Sequence, residues 1–205
     1  MTMAREALQR LREGNARFAA DVPRMEARIG AARRAELAIA QRPFAIVLGC
    51  SDSRVPVEIV FDQGPGDLFV IRVAGNIVAP SLIGSVEFAA AQFGTSLVVV
   101  LGHSQCGAIM ATLDQLRRPT ARQSPNLKSI VNRIRPAVEG LLGGGDDGEH
   151  ADIVARAVRA NILASVQQLR HGSAIIEALI ASQGLLVVGA EYSLETGVVE
   201  FLGET

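Results

Sequence analysis

Residues 97–107 read LVVVLGHSQCG, and residues 44–54 read FAIVLGCSDSR. Each opens as a near-continuous run of Val, Ile, Leu or Phe, reaches a glycine, and passes directly into residues bearing thiol, imidazole, carboxylate or guanidinium groups. Apolar character at every position, rather than at alternate ones, predicts strands buried on both faces. Two more runs have this form, LFVIRV at 68–73 and LLVVG at 185–189. Between the runs the period changes. Ser81 to Phe93 reads as a helix, and Val154, Val158, Ile162, Val166 and Leu169 make an apolar stripe that ends at the helix stop His171-Gly172. Ala174 to Ser182 predicts a short helix leading into the Leu185 run. Strands alternating with helices predict an α/β fold, a mostly parallel central sheet flanked by helices.

Outward from these runs, Leu8, Leu11 and Phe18 mark one face of an N-terminal helix, and Arg28 to Gln41 reads as a second helix ending before Pro43. Residues 1–42 are thus expected to form a helical arm on a single domain covering 1–205. The stretch from Arg117 to Pro136, with Pro119, Pro125 and Pro136, and the loop from Gly143 to Gly148 read as an elaboration between the third and fourth strands. Val198 to Leu202, after Gly197, reads as an edge strand.

At 205 residues and 49% hydrophobic the chain can bury one substantial core, so disorder is not the expectation. A net charge of −1 gives no overall attraction to nucleic acid or to an anionic membrane. The nine Arg and five acidic residues of 1–42 read as a solvated helical face. No run reaches the roughly 18 to 20 apolar residues of a membrane span, and the charged N-terminus has no apolar signal segment. These features predict a soluble cytoplasmic protein. Two cysteines, Cys50 and Cys106, are too few for a disulfide framework.

Both cysteines lie just past the carboxyl ends of predicted strands, the edge where parallel α/β sheets bind ligands. If the chain beyond Cys50 stays extended, residues 50, 52 and 54 point the same way, and a thiol, a carboxylate and a guanidinium share one site. His103 and Cys106 have the close spacing with which a turn presents two ligands to one metal. Cys106 also opens a predicted helix, whose N-terminal dipole favours thiolate. A lone buried cysteine is ordinarily a small apolar core residue. Here the only two cysteines and one of three histidines fall at matching strand ends, which favours one zinc ion held by Cys50, His103 and Cys106 and used for chemistry. His150 reads as a solvated loop residue and His171 as a cation at a helix C-terminus. A cysteine–histidine nucleophile pair is the alternative from residue types alone, but it leaves the second cysteine and Asp52 unused.

The pairing of CSDSRV at 50–55 with GHSQCG at 102–107 resembles the β-class carbonic anhydrases. The likeness extends to GNARF at 14–18, FDQGPGDLF at 61–69, RVAGN at 72–76 and SVEF at 85–88. It implies reversible hydration of CO2 to bicarbonate and a proton by zinc-bound hydroxide. One Zn2+ per chain would sit on Cys50, His103 and Cys106, with Asp52 and Arg54 as a catalytic dyad. The resemblance further implies that Gln41 donates a hydrogen bond to substrate, that Phe69, Ala74 and Phe88 line an apolar CO2 pocket, and that Gly107 borders it. Phe88 stands where many relatives carry Tyr. Homodimers or homotetramers with the site near the subunit interface are implied as well.

Two other readings share the same residues. Carbonyl sulfide or carbon disulfide would replace CO2 on an unchanged centre, or Asp52 would close the shell as a fourth ligand in a non-catalytic zinc module. Some relatives close their site in this way under control of bicarbonate bound beside a Trp, an Arg and a Tyr. Val47 takes the Trp position, and although Arg72 and Tyr192 offer the other groups the set is incomplete. The expectation is an open site near pH 8, with Asp52 on Arg54.

Overall fold

In a computed structural model, the residues described are 2–22, 30–119, 124–142 and 150–203. Five strands, β1 (Ala45–Gly49), β2 (Leu68–Arg72), β3 (Leu97–His103), β4 (Leu186–Tyr192) and β5 (Val199–Leu202), form one sheet in the order β2-β1-β3-β4-β5. The first four are mutually parallel, and β5 runs antiparallel along β4. Every residue of β1 and of β3 is buried, as their unbroken apolar runs require.

The pleat sends alternate side chains into two separate cores. Ile46, Leu48, Val98, Val100 and Val187 face α4 (Pro80–Phe93), α5 (Gly107–Arg117), α6 (Pro125–Val138), α7 (His150–His171) and α8 (Ala174–Gln183). Ala45, Val47, Leu97, Val99, Leu101, Val188 and Ala190 face α1 (Met3–Ala19) and the short α3 (Val57–Val60). The second helix, α2, spans Ala31–Ile39 and buries no residue. No helix among the described residues is long and apolar enough to cross a membrane.

Unlike a free arm, α1 is fastened to the sheet. Its Leu8 and Leu11 enter the second core, and the buried Asn15 donates to Val60 O at 3.1 Å and Gly197 O at 2.8 Å while accepting from Val199 N at 2.7 Å. That one amide joins α1, the end of α3 and the start of β5.

Several boundaries differ from the sequence expectation. The Pro-rich elaboration contains a full helix, α6: Pro125 sits at its first turn, where no N–H is needed, and Ser124 caps it by accepting from Asn126 N. β4 runs on to Tyr192, because Ala190, Glu191 and Tyr192 pair with Leu101, Gly102 and His103 on one side and with β5 on the other. His150 is the first residue of α7 rather than part of a loop, whereas His171 closes that helix as expected. The predicted loop at 143–148 and the predicted start of α2 at residues 28–29 lie outside the described residues.

Candidate metal centre

β1 and β3 are neighbours at the point where the connection reverses. From β1 the chain leaves to one side for β2, and it returns on the other side as β3. Such a switch point opens a crevice at the carboxyl ends of the two strands. Cys50 follows β1, His103 ends β3, and Cys106 immediately precedes α5, so the fold converges all three on that crevice.

Their ligand atoms lie within 4.8 Å of one another, and all three residues are buried. Cys50 Sγ and Cys106 Sγ are 3.9 Å apart. Two thiolates on a tetrahedral zinc, at about 2.3 Å each, stand about 3.8 Å apart. His103 Nδ1 donates to its neighbour's carbonyl, Ser104 O, at 2.9 Å, which leaves Nε2 as the nitrogen available to a metal. That Nε2 is buried with no hydrogen-bond partner. A buried polar atom left orphaned beside two thiols is what a metal ligand looks like without its metal, so the donor set fits zinc. The ring is further secured through Ser104, whose N–H donates to Tyr192 O and whose Oγ accepts from Leu194 N.

The hydrogen bond between the thiols divides them: it lowers Cys50 well below the ordinary thiol range, against the cost of burial, and Gly75 N–H assists at 3.3 Å. Cys106 is pushed up by the same bond and by burial. A bound divalent cation removes that asymmetry, because a coordinating thiol is deprotonated outright.

Asp52 and Arg54 do pair, but not by strand alternation. The chain turns at residues 53 and 54, with Val55 N donating to Asp52 O at 3.0 Å, so the extended path expected beyond Cys50 ends early. Arg54 reaches back with Nε on Asp52 Oδ1 at 2.9 Å and Nη2 on Oδ2 at 2.7 Å, and its own N–H also donates to Oδ1 at 3.0 Å. Foremost through these side-chain bonds, Arg54 holds the Asp52 carboxyl well below the usual carboxylate range. Asp52 Oδ2 lies 3.8 Å from His103 Nε2, beside the ligand atoms rather than among them. Arg72 fixes the loop from behind, donating from Nε to Cys50 O at 3.0 Å and from Nη2 to Asp52 O at 2.6 Å. Its position in RVAGN was the only sequence signal for that role.

The remaining expected site residues divide between two places. Ala74 begins the 3-10 turn Ala74–Asn76 after β2, next to the Gly75 N–H that meets Cys50. Gly107 opens α5, and a Cβ there would find nothing within 4 Å, so the approach past it is clear. Gln41, by contrast, precedes β1 and is exposed at the amino end of the strand whose carboxyl end leads to Cys50. Phe69 pairs with Ile46 near that same amino end. It clusters with Phe88 and Phe93, ring centroids 5.7–6.2 Å apart, and Phe88 is 54% exposed. Gln41 and Phe93 border a common open cavity of about 670 Å³.

A family model described as Carbonic anhydrase matches residues 45–199. The chain is 40% identical over 194 residues to a carbonic anhydrase of Mycolicibacterium smegmatis, covering 95% of this chain and 91% of that one. It is 38% identical to carbonic anhydrase 2 of Mycobacterium tuberculosis, covering 93% and 89%. Among solved structures, the β-carbonic anhydrase CcaA superposes with a TM-score of 0.78 at 27% identity over 96% of this chain and 95% of that one. One of two tetrameric β-carbonic anhydrases from Sordaria macrospora gives 0.70 at 29% identity over 83% and 85%. With these matches spanning the sheet, the crevice and the paired cysteine segments, the chain belongs to the β-class carbonic anhydrase family.

Proposed function

We propose that this protein hydrates CO2 reversibly to bicarbonate and a proton on one zinc ion held by Cys50, His103 and Cys106. The observation that carries the reading is the two sulfurs 3.9 Å apart beside an orphaned imidazole nitrogen. Zinc with three protein ligands is a Lewis acid that makes a hydroxide nucleophile available near neutral pH. Asp52 is the hydrogen-bond acceptor that orients the attacking oxygen toward CO2, and Arg54 keeps that carboxylate ionised and turned aside from the ligand atoms. Ala74 and Gly107 border the approach of substrate.

Gln41, Phe69 and Phe88 lie toward the opposite edge of their own sheet. They are proposed to complete the pocket of a second copy in a homodimer or homotetramer, an assembly consistent with the tetrameric relatives from Sordaria macrospora. A single domain acting in the cytoplasm is part of the same reading.

A stopped-flow assay of CO2 hydration by zinc-loaded protein tests it. Turnover of CO2 well above that of carbon disulfide is expected; the reverse order would reassign the substrate, and no turnover of either would leave a zinc-binding module. The 3.8 Å approach of Asp52 to His103 Nε2 favours a second state in which the carboxylate closes the shell, and Arg54's two-point grip opposes it. Zinc-edge absorption at pH 8 is expected to find two sulfurs, one nitrogen and a non-carboxylate oxygen.

A further inference from the structure

The Gly75 N–H that meets Cys50 Sγ belongs to a turn that Gly and Asn permit but do not by themselves hold in place. Gly75 has φ 71° and Asn76 has φ 42°, two successive residues in the left-handed region. The turn is also tightly enclosed, since a Cβ on Gly75 would stand 2.9 Å from Ile134 Cδ1 and 3.1 Å from Ala108 Cβ. Such a turn persists where its surroundings over-determine it; here α5 and α6 wall it in, and α7 supplies the hydrogen bonds to its carbonyls.

Asn161 Nδ2 donates to Gly75 O at 2.9 Å, and Ser165 Oγ donates to Asn76 O at 3.1 Å. These side chains are 2% and 3% exposed and lie one helical turn apart on one face of α7. Ile162, beside Asn161, presses α7 onto the sheet at Gly102 and Gly189, where added Cβ atoms would come within 2.5 and 2.7 Å of it. The helix is therefore seated at a fixed height, and its two polar side chains meet the turn carbonyls at hydrogen-bond distance. Both side chains hydrogen-bond the turn carbonyls, and the proposed reaction uses neither.

We infer that Asn161, supported by Ser165, is a positioning residue of the metal centre: by clamping the carbonyls of Gly75 and Asn76 it aims the Gly75 N–H at Cys50 Sγ. A hydrogen bond to a thiolate ligand draws electron density from the sulfur and fixes its direction, so the clamp sets how strongly Cys50 donates to the metal. The inference rests on the reading of Cys50 as a zinc ligand.

The test uses protein loaded with Co2+ in place of zinc, whose sulfur-to-cobalt charge-transfer band reports thiolate donation, together with zinc affinity from chelator competition. Asn161→Ala, Asn161→Asp and Ser165→Ala are compared with Val158→Ala, a buried α7 position whose apolar side chain makes no hydrogen bond to the turn. The three clamp variants are expected to move the band to lower energy and to weaken zinc binding roughly tenfold. Val158→Ala should lower thermal stability and leave the band in place. Should Asn161→Ala fail to fold, Ser165→Ala and Asn161→Asp carry the comparison. An unmoved band with unchanged affinity in the folded clamp variants overturns the inference, as does an equal shift in Val158→Ala. Absence of the band in the unaltered protein would overturn the metal-centre reading itself.

Discussion

Asp52 is held at three points by a single neighbour two residues away, which makes its geometry a local property of the turn. Arg54→Ala removes both side-chain bonds and frees the carboxylate to swing toward His103 Nε2. Zinc content is expected to stay at one per chain while CO2 hydration falls about 10- to 100-fold; retained activity at full zinc content would remove Arg54 from the mechanism. The cysteines proposed to hold zinc behave differently. Cys50→Ser or Cys106→Ser replaces a thiolate that dominates the affinity of a soft site, so metal analysis after dialysis should find both variants essentially zinc-free. The convergence of Cys50, His103 and Cys106 and the pairing of Asp52 with Arg54 were legible in the sequence, from two strand-end motifs. The reason offered for the dyad was not, because strand alternation predicted a shared side where a turn and an Asx-type backbone bond do the pairing. Gly75 was legible only as a letter within RVAGN, since its role depends on a contact with a segment 25 residues earlier.

The elements of the sheet were readable because burial on both faces writes itself as an unbroken apolar run. α6 was not, because prolines read as breakers are compatible with a helix at its first turn, and only the capping contact of Ser124 distinguishes the cases. The seating of α7 is another property no single segment displays. Gly102→Ala would bring a methyl within 2.5 Å of the fully buried Ile162, and overpacking of that kind costs about 1–3 kcal/mol. Denaturant unfolding at fixed metal content should show that loss, with Ile162→Val in the same chain recovering part of it; full stability of Gly102→Ala alone would mean α7 rides higher than described. On the other face, Asn15→Ala strands Val60 O, Gly197 O and Val199 N together. A loss of about 1–3 kcal/mol is expected from leaving such buried groups unpaired, and hydrogen exchange in β5 should rise with it.

At the scale of the molecule, the residues expected around the substrate fall into two sets on opposite edges of one sheet, and in the set at the amino edge Gln41 and Phe88 are exposed while Phe69 is half-buried. Ile39 is 88% exposed, beside the open cavity that Gln41 and Phe93 also border. Phe88→Asp places a charge in that aromatic cluster and should weaken self-association by about 2 kcal/mol or more, roughly thirtyfold, as removal of a buried aromatic anchor does. Sedimentation velocity checks the assembly, and a monomer with undiminished turnover would refute a shared pocket. With Val47 buried inside β1 and Arg72 engaged on Cys50 O and Asp52 O, bicarbonate should inhibit without cooperativity; a steep, sigmoidal dependence at pH 8 would contradict an open site. The order of the strands also bears on how the protein is made. Cys106, the last residue of the candidate metal centre, leaves the ribosome long before β4, which begins only at Leu186 and covers the free side of β3. At about 5–20 residues per second a nascent chain carries the bare LVVVL edge for several seconds. Those seconds are the interval in which the unpaired strand is open to other chains, and in which Cys50, His103 and Cys106 are already all available to bring β1 and β3 together.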